Sequence, residues 1–161
     1  MNLELTNKIL KNETYRKELD NLRKFEKERI FCVHDIKHFL DVARITMIIC
    51  KEEGIDVMPD LIYSAALLHD IGRSREYTEN IPHQLASKET AEKILNETGC
   101  CDDMKIRILN LILNHRNQKN EKGSLENIFY IADKKSRFCF ACESRDVCNW
   151  QEDKKNMNIE V

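Results

Sequence analysis

Four glycines and two prolines in 161 residues leave this chain few places to turn tightly. That scarcity restricts it to long, uninterrupted elements. Within the charged stretch 3–31, Leu19, Leu22, Phe25 and Ile30 recur at three- to five-residue steps, which predicts one or two amphipathic helices. Asp35 to Glu53 carries Phe39, Val42, Ala43, Ile45, Met47, Ile48 and Ile49 with no breaker, and Gly54 follows where a helix would end. Pro59 suits a first helical turn and opens a run through Leu61, Ala65, Ala66, Leu67 and Leu68 that is expected to stop at Gly72. A polar loop is expected from Arg73 to Pro82, then a helix from Gln84 to Thr98 closed by Gly99. Asp102 or Asp103 would cap a helix over Lys105 to His115, and another spans Leu125 to Ser136. Phe129-Tyr130-Ile131 has strand character but lies inside a helix-compatible run, and Gln151 to Val161 reads as a frayed polar tail. The expected fold is all-α: an irregular single-domain bundle of about six helices. Residues 1–31 would pack on a core of 32–138, followed by a cysteine-containing segment, 139–161.

Charge narrows the partners. The chain has 26 Lys+Arg against 28 Asp+Glu, a net charge of −2, which gives no electrostatic footprint for nucleic acid or a membrane surface. The N-terminus is polar, with no apolar signal region, and no run of about 18 apolar residues exists to span a bilayer. A cytoplasmic location is expected, with the seven cysteines serving as free thiols or metal ligands rather than disulfides.

The chemistry concentrates in Ala65-Ala66-Leu67-Leu68-His69-Asp70-Ile71-Gly72, where an adjacent His and Asp end an apolar helix. Burying either side chain unpaired is costly, and a cation removes that cost. Imidazole and carboxylate suit iron, manganese, zinc or similar ions, and a carboxylate can bridge two of them. Other ionisable residues share apolar faces. His38 precedes Val42, Ile45 and Ile49 on one helical stripe; His115 follows Leu111 by four residues; Asp133 follows Phe129 by four. Several His and Asp residues converging on one core are hard to satisfy without a shared partner.

His38-x-x-x-Val42-Ala43, then Ala66-Leu67-Leu68-His69-Asp70-Ile71-Gly72-Arg73, then Ile131-Ala132-Asp133 resembles the HD phosphohydrolase superfamily, over about Cys32 to Arg137. The resemblance implies a helical fold and a metal site with His38, His69, Asp70 and Asp133 as ligands. His83 and His115 stand where the dinuclear branch, which includes bacterial hydrolases of symmetrical dinucleoside polyphosphates, has further histidines; by that likeness they hold a second ion. The implied activity is hydrolysis of a small phosphate ester, with a nucleotide as the expected substrate, by a metal-activated water. Asp70 would orient the ions and take the nucleophile's proton, with His69 beside it. The family pattern continues with Lys after the glycine; here Arg73 stands there and retains a grip on phosphate. Arg73, Lys134, Lys135 and Arg137 are candidate phosphate contacts, and the basic run 134–137 reads equally as a solvated face. His34, four residues before His38, reads as a supporting partner or substrate contact, or as an ordinary first-turn histidine.

Cys139-x2-Cys142-x5-Cys148 has the ligand spacing of a zinc knuckle or an iron–sulfur set. A fourth ligand must come from elsewhere, for instance Cys32; the same residues also read as reduced thiols. Two further functions therefore stand beside the hydrolase: a non-catalytic metal- and nucleotide-binding sensor, and a regulator built on the cysteine cluster.

Overall fold

The computed structural model describes residues 3–159; Met1, Asn2, Glu160 and Val161, which fall in the first and last expected segments, lie outside the described residues. Eight α-helices are present among them, with no strands. The first two, α1 (Glu4–Lys11) and α2 (Glu13–Glu26), are separated by Asn12, whose side chain accepts from the Tyr15 N–H at 2.9 Å and caps α2. Asp35 caps α3 (Ile36–Glu52) in the same way, accepting from His38 N–H at 2.9 Å. α4 (Pro59–Leu68) is the hub: Leu61, Ile62, Ala65, Ala66, Leu67 and Leu68 are fully buried. It packs against α1 and α3, and also against α7 (Asp102–Asn114). α6 (His83–Glu97) lies along α7, and α8 (Leu125–Lys135), capped by Ser124, lies along α3. α1 is fastened through Asp60, whose carboxylate accepts from the Leu5 and Thr6 N–H groups at 2.8 Å each. Those two amides are otherwise unpaired at a helix start, so α4 supplies the cap that α1 lacks.

The helices follow the apolar periodicity closely, and Gly54 and Gly99 close α3 and α6 with positive φ of 69° and 70°. Four expectations are corrected. α4 ends at Leu68, not Gly72, and His69 to Gly72 form a turn. The expected loop 73–82 contains α5 (Arg73–Glu79), which packs on α2 and α6 and ends at Asn80 with φ 57°. Asp102 and Asp103 lie inside the first turn of α7, where their charge favours the helix N-terminus, and Cys101 holds the cap position. The expected frayed tail is fastened as far as Asn156, whose amide donates to Lys135 O at 2.7 Å and to Arg137 O at 2.8 Å. Three short 3-10 turns (Cys139–Ala141, Arg145–Val147 and Glu152–Lys154) thus fold back over the end of α8. Two helices in the N-terminal stretch fall within the expected one or two, and the unexpected α5 brings the total among the described residues to eight.

Candidate metal centre

The His69–Gly72 turn is held by close packing. A Cβ on Gly72 would lie 2.3 Å from Ser87 N and 2.4 Å from Ala86 C, both backbone atoms of α6. The Gly72 N–H donates to Ser87 Oγ at 3.0 Å. Only glycine allows this approach, and the approach fixes where His69 and Asp70 point.

All five histidines of the chain converge on Asp70. Oδ2 lies 3.3 Å from His69 Nε2, 3.6 Å from His34 Nε2 and 3.9 Å from His38 Nε2. Oδ1 lies 3.3 Å from His83 Nε2 and 3.6 Å from His115 Nε2. One carboxylate therefore faces a different set of imidazoles with each oxygen.

Each imidazole is anchored through Nδ1, leaving Nε2 toward Asp70. His69 Nδ1 meets Ala66 O at 2.8 Å and His115 Nδ1 meets Ile112 O at 2.6 Å. His38 Nδ1 meets Ser136 Oγ at 3.0 Å, and that hydroxyl donates to Asp133 O at 2.7 Å. His34 Nδ1 meets Glu26 Oε1 at 2.7 Å, and His83 Nδ1 meets Glu76 Oε2 at 2.9 Å. An Nδ1–H given to an oxygen fixes the tautomer with its Nε2 lone pair free, the form that ligates a cation.

Two groups gather their ligand atoms within 4.8 Å of one another: His38, His69, Asp70 and Asp133, and Asp70, His83 and His115. Every member is buried. Within them His69 Nε2, Asp70 Oδ1 and Asp133 Oδ1 have no hydrogen-bond partner, which three buried polar atoms at one spot do not tolerate without a shared guest. The donor set, imidazole nitrogens with carboxylate oxygens, fits a divalent cation.

The electrostatics draw positive charge to this spot, where a proton on His69 and a bound cation would compete. Burial would raise the Asp70 carboxyl, but His69, His34 and Arg73 hold it well below the usual range. Asp133 is likewise held down against burial by Lys134, His69 and Arg137. Burial would lower His69, yet the two carboxylates raise it to about 9. His34 is pushed down to about 4 by burial, against the pull of Asp70. His38 is pushed well below its ordinary value by burial and by Arg137. Arg137 Nη2 stands 2.9 Å from His38 Nε2 and 3.6 Å from Asp133 Oδ1, so the guanidinium and a cation compete for that edge.

A cleft of about 710 Å³ opens over Asp70 and Asp133. His34, Arg73, Lys134 and Arg137 line it, and Arg29 and Arg116 add positive charge. Tyr130 and Trp150 form an aromatic wall, with Lys134 Nζ 5.2 Å from each ring centroid. Lys135 does not line this cleft; it borders a neighbouring groove with Gln118 and Tyr130.

Sequence reasoning missed Glu26, Glu76 and Tyr77. Glu26 is 3% exposed and receives the His34 N–H at 2.6 Å, His34 Nδ1 and the Tyr77 hydroxyl at 2.6 Å. Burial opposes its ionisation, but these partners, His34 foremost, bring it down to about 2. Its signal was present: Glu26 continues the Tyr15–Leu19–Leu22 stripe of α2 at helical spacing. Cys32, Cys139, Cys142 and Cys148 border a smaller void and belong to neither His/Asp group.

The HD-domain profile matches residues 35–137. An uncharacterized protein of Clostridium beijerinckii is 42% identical over 153 residues, 95% of this chain and 96% of that one. Ribonuclease Y of Mycoplasma mycoides subsp. mycoides is 31% identical over 98 residues, 61% of this chain but 17% of the ribonuclease. Ribonuclease Y of Mycoplasma capricolum is 30% identical over a span of the same length. No solved structure matches the chain. With the profile covering well over half its length and a His/Asp cluster at the centre of an all-helical fold, the chain belongs to the HD-domain family, a superfamily of metal-dependent hydrolases.

Proposed function

We propose that the protein is a phosphohydrolase that uses one or two divalent ions to cleave a nucleotide or another small phosphate ester. The observation that carries this reading is the position of Asp70, one buried carboxylate flanked by two imidazole sets. His38, His69, Asp70 and Asp133 would hold the first ion, and Asp70, His83 and His115 the second. Bound there, divalent ions lower the pKa of water and neutralise a phosphoryl oxygen.

The chain's own residues do the rest. Arg73 Nη1 is 3.6 Å from Asp70 Oδ1, which keeps a guanidinium fork at the mouth of the site to grip a phosphate. Lys134, which pairs with Asp133, and Arg137 add charge on the opposite side. Asp70 is the base nearest an attacking water, and His34, braced by Glu26, faces the same oxygen at 3.6 Å. Tyr130 and Trp150 offer faces on which a nucleobase can stack.

The ribonuclease Y likeness favours a second substrate class, RNA. A hydrolysis screen separates the two. Protein reconstituted with manganese, iron or cobalt should release phosphate from mononucleotides, or nucleotides from dinucleoside polyphosphates, and leave an RNA oligomer intact. Cleavage of the oligomer alone would move the reading to RNA; no hydrolysis of either with any ion would reject it.

A further inference from the structure

Four cysteines that the metal centre does not use meet at one place. Cys32 precedes α3; Cys139 lies in the first 3-10 turn after α8, and Cys142 and Cys148 directly follow the first and second of those turns. All four line one void of about 20 Å³, together with Phe31, Arg145, Trp150 and Lys155. The other three cysteines, Cys50, Cys100 and Cys101, do not border it.

We propose that Cys32, Cys139, Cys142 and Cys148 bind a single thiophilic divalent cation of the zinc type, which clamps the C-terminal turns onto the segment entering α3. The size of the void selects one ion: a water-sized guest needs about 10–15 Å³ by the same measure, and a multi-iron cluster needs far more. The ligand arithmetic is complete, three thiols from one stretch and the fourth from a segment more than a hundred residues earlier. All seven cysteines are free, so none of these sulfurs is committed to a disulfide. Charge also closes. Four thiolates around a dication leave two negative charges, and Arg145 and Lys155 border the void. Burial pushes the Cys32 thiol up; Arg137 opposes this, and the other three thiols add to it, as neighbours sharing one small space do.

The four cysteine residues border the void, but their sulfurs do not form a chelate. Among the described residues, they supply no group of three within 4.8 Å of one another. Tetrahedral bonds of about 2.3 Å would bring them to about 3.8 Å. The turns around them are closed by i to i+3 hydrogen bonds, such as Cys142 N–H to Cys139 O at 3.2 Å and Cys148 N–H to Arg145 O at 3.3 Å, and are tied to the tail by Phe140 N–H to Asn156 O and Lys155 Nζ to Arg145 O, each at 3.2 Å. Binding would draw the sulfurs inward within this frame. Cys32, Cys148 and Trp150 also line the large cleft, so the clamp sets one wall of it.

The inference stands independently of any hydrolase activity, and cobalt tests it. Full-length protein, stripped with chelator under reducing conditions, is titrated with Co²⁺ alone. The expected result is one equivalent giving thiolate-to-cobalt charge-transfer absorption, with a change in emission from Trp150, the sole tryptophan. The absorption should vanish in Cys32→Ser and Cys142→Ser, and persist in Cys101→Ser and His69→Ala. Should the first two variants not fold, the wild type still decides: Zn²⁺ should slow alkylation of these four cysteines and leave Cys50, Cys100 and Cys101 unchanged, read by mass spectrometry. Cobalt bound without thiolate absorption, absorption that survives Cys32→Ser, or a different protected set would overturn the proposal.

Discussion

The two ligand-bearing regions are held in different ways. Around Asp70, five imidazoles project from helices or helix ends, and each is pinned at Nδ1 by a carbonyl, hydroxyl or carboxylate. Around the thiol void, Cys139 sits in a 3-10 turn, Cys142 and Cys148 follow such turns, and Cys32 comes from the segment before α3, so none of the four projects from an α-helix. The first region carries its geometry in the fold and tolerates buried charge to do so. The second has ligands near one another but relies on a guest to bring them together. Rigid placement suits chemistry that demands sub-ångström alignment; loose placement suits a fastener.

The largest break should come from the shared carboxylate. Asp70→Ala should remove both His/Asp-held ions and lower turnover by more than the roughly 100-fold typical of losing a supporting partner. Elemental analysis and phosphate release check this, with circular dichroism holding near the wild-type value. His115→Ala should spare the ion held by His38, His69 and Asp133, which separates the two seats.

Glu26→Gln tests whether anchoring matters beyond the ligands themselves. The loss of a charged brace on His34 should lower kcat by about 10- to 100-fold while KM and metal content stay near wild type. A fall in metal content equal to the fall in kcat would mean Glu26 only stabilises the fold.

Gly72→Ala probes rigidity directly. Its Cβ cannot be housed without moving α6 backbone, so stability should fall by about 1–3 kcal/mol. Thermal melting should drop by several degrees, at roughly 2–4 °C per kcal/mol for a chain of this size. An unchanged melting temperature would show the turn to be more yielding than its packing implies. The smallest effect belongs to Arg73→Ala, expected to raise KM about tenfold, near 1.4 kcal/mol, with metal retained. Loss of metal there would place Arg73 in the support of the ligands rather than at the substrate.

Much of the pinned region is legible in the sequence because burial imposes periodicity. His38 and Asp133 lie on apolar stripes, and the apolar run from Leu61 to Leu68 leads His69 and Asp70 into the core. Glu26 escaped although it continues the apolar stripe of α2, because a carboxylate at a helix end ordinarily reads as solvated; its partner eight residues later gives it a role there. α5 escaped for another reason. Its sequence, RSREYTE, has no apolar stripe; ion pairs from Arg75 to Glu79 and Glu89 and packing on α2 and α6 support it. The ordered tail depends on Asn156 meeting carbonyls about twenty residues away, and no local pattern encodes that pairing.

That both oxygens of Asp70 look into separate imidazole sets has a thermodynamic consequence. If each set takes an ion, the two loading steps are linked through one negative charge, and each ion alters the other's affinity by the same factor. A metal titration would then trace a coupled isotherm instead of two independent ones, and the spacing of its two steps would measure how much of that charge the first guest consumes.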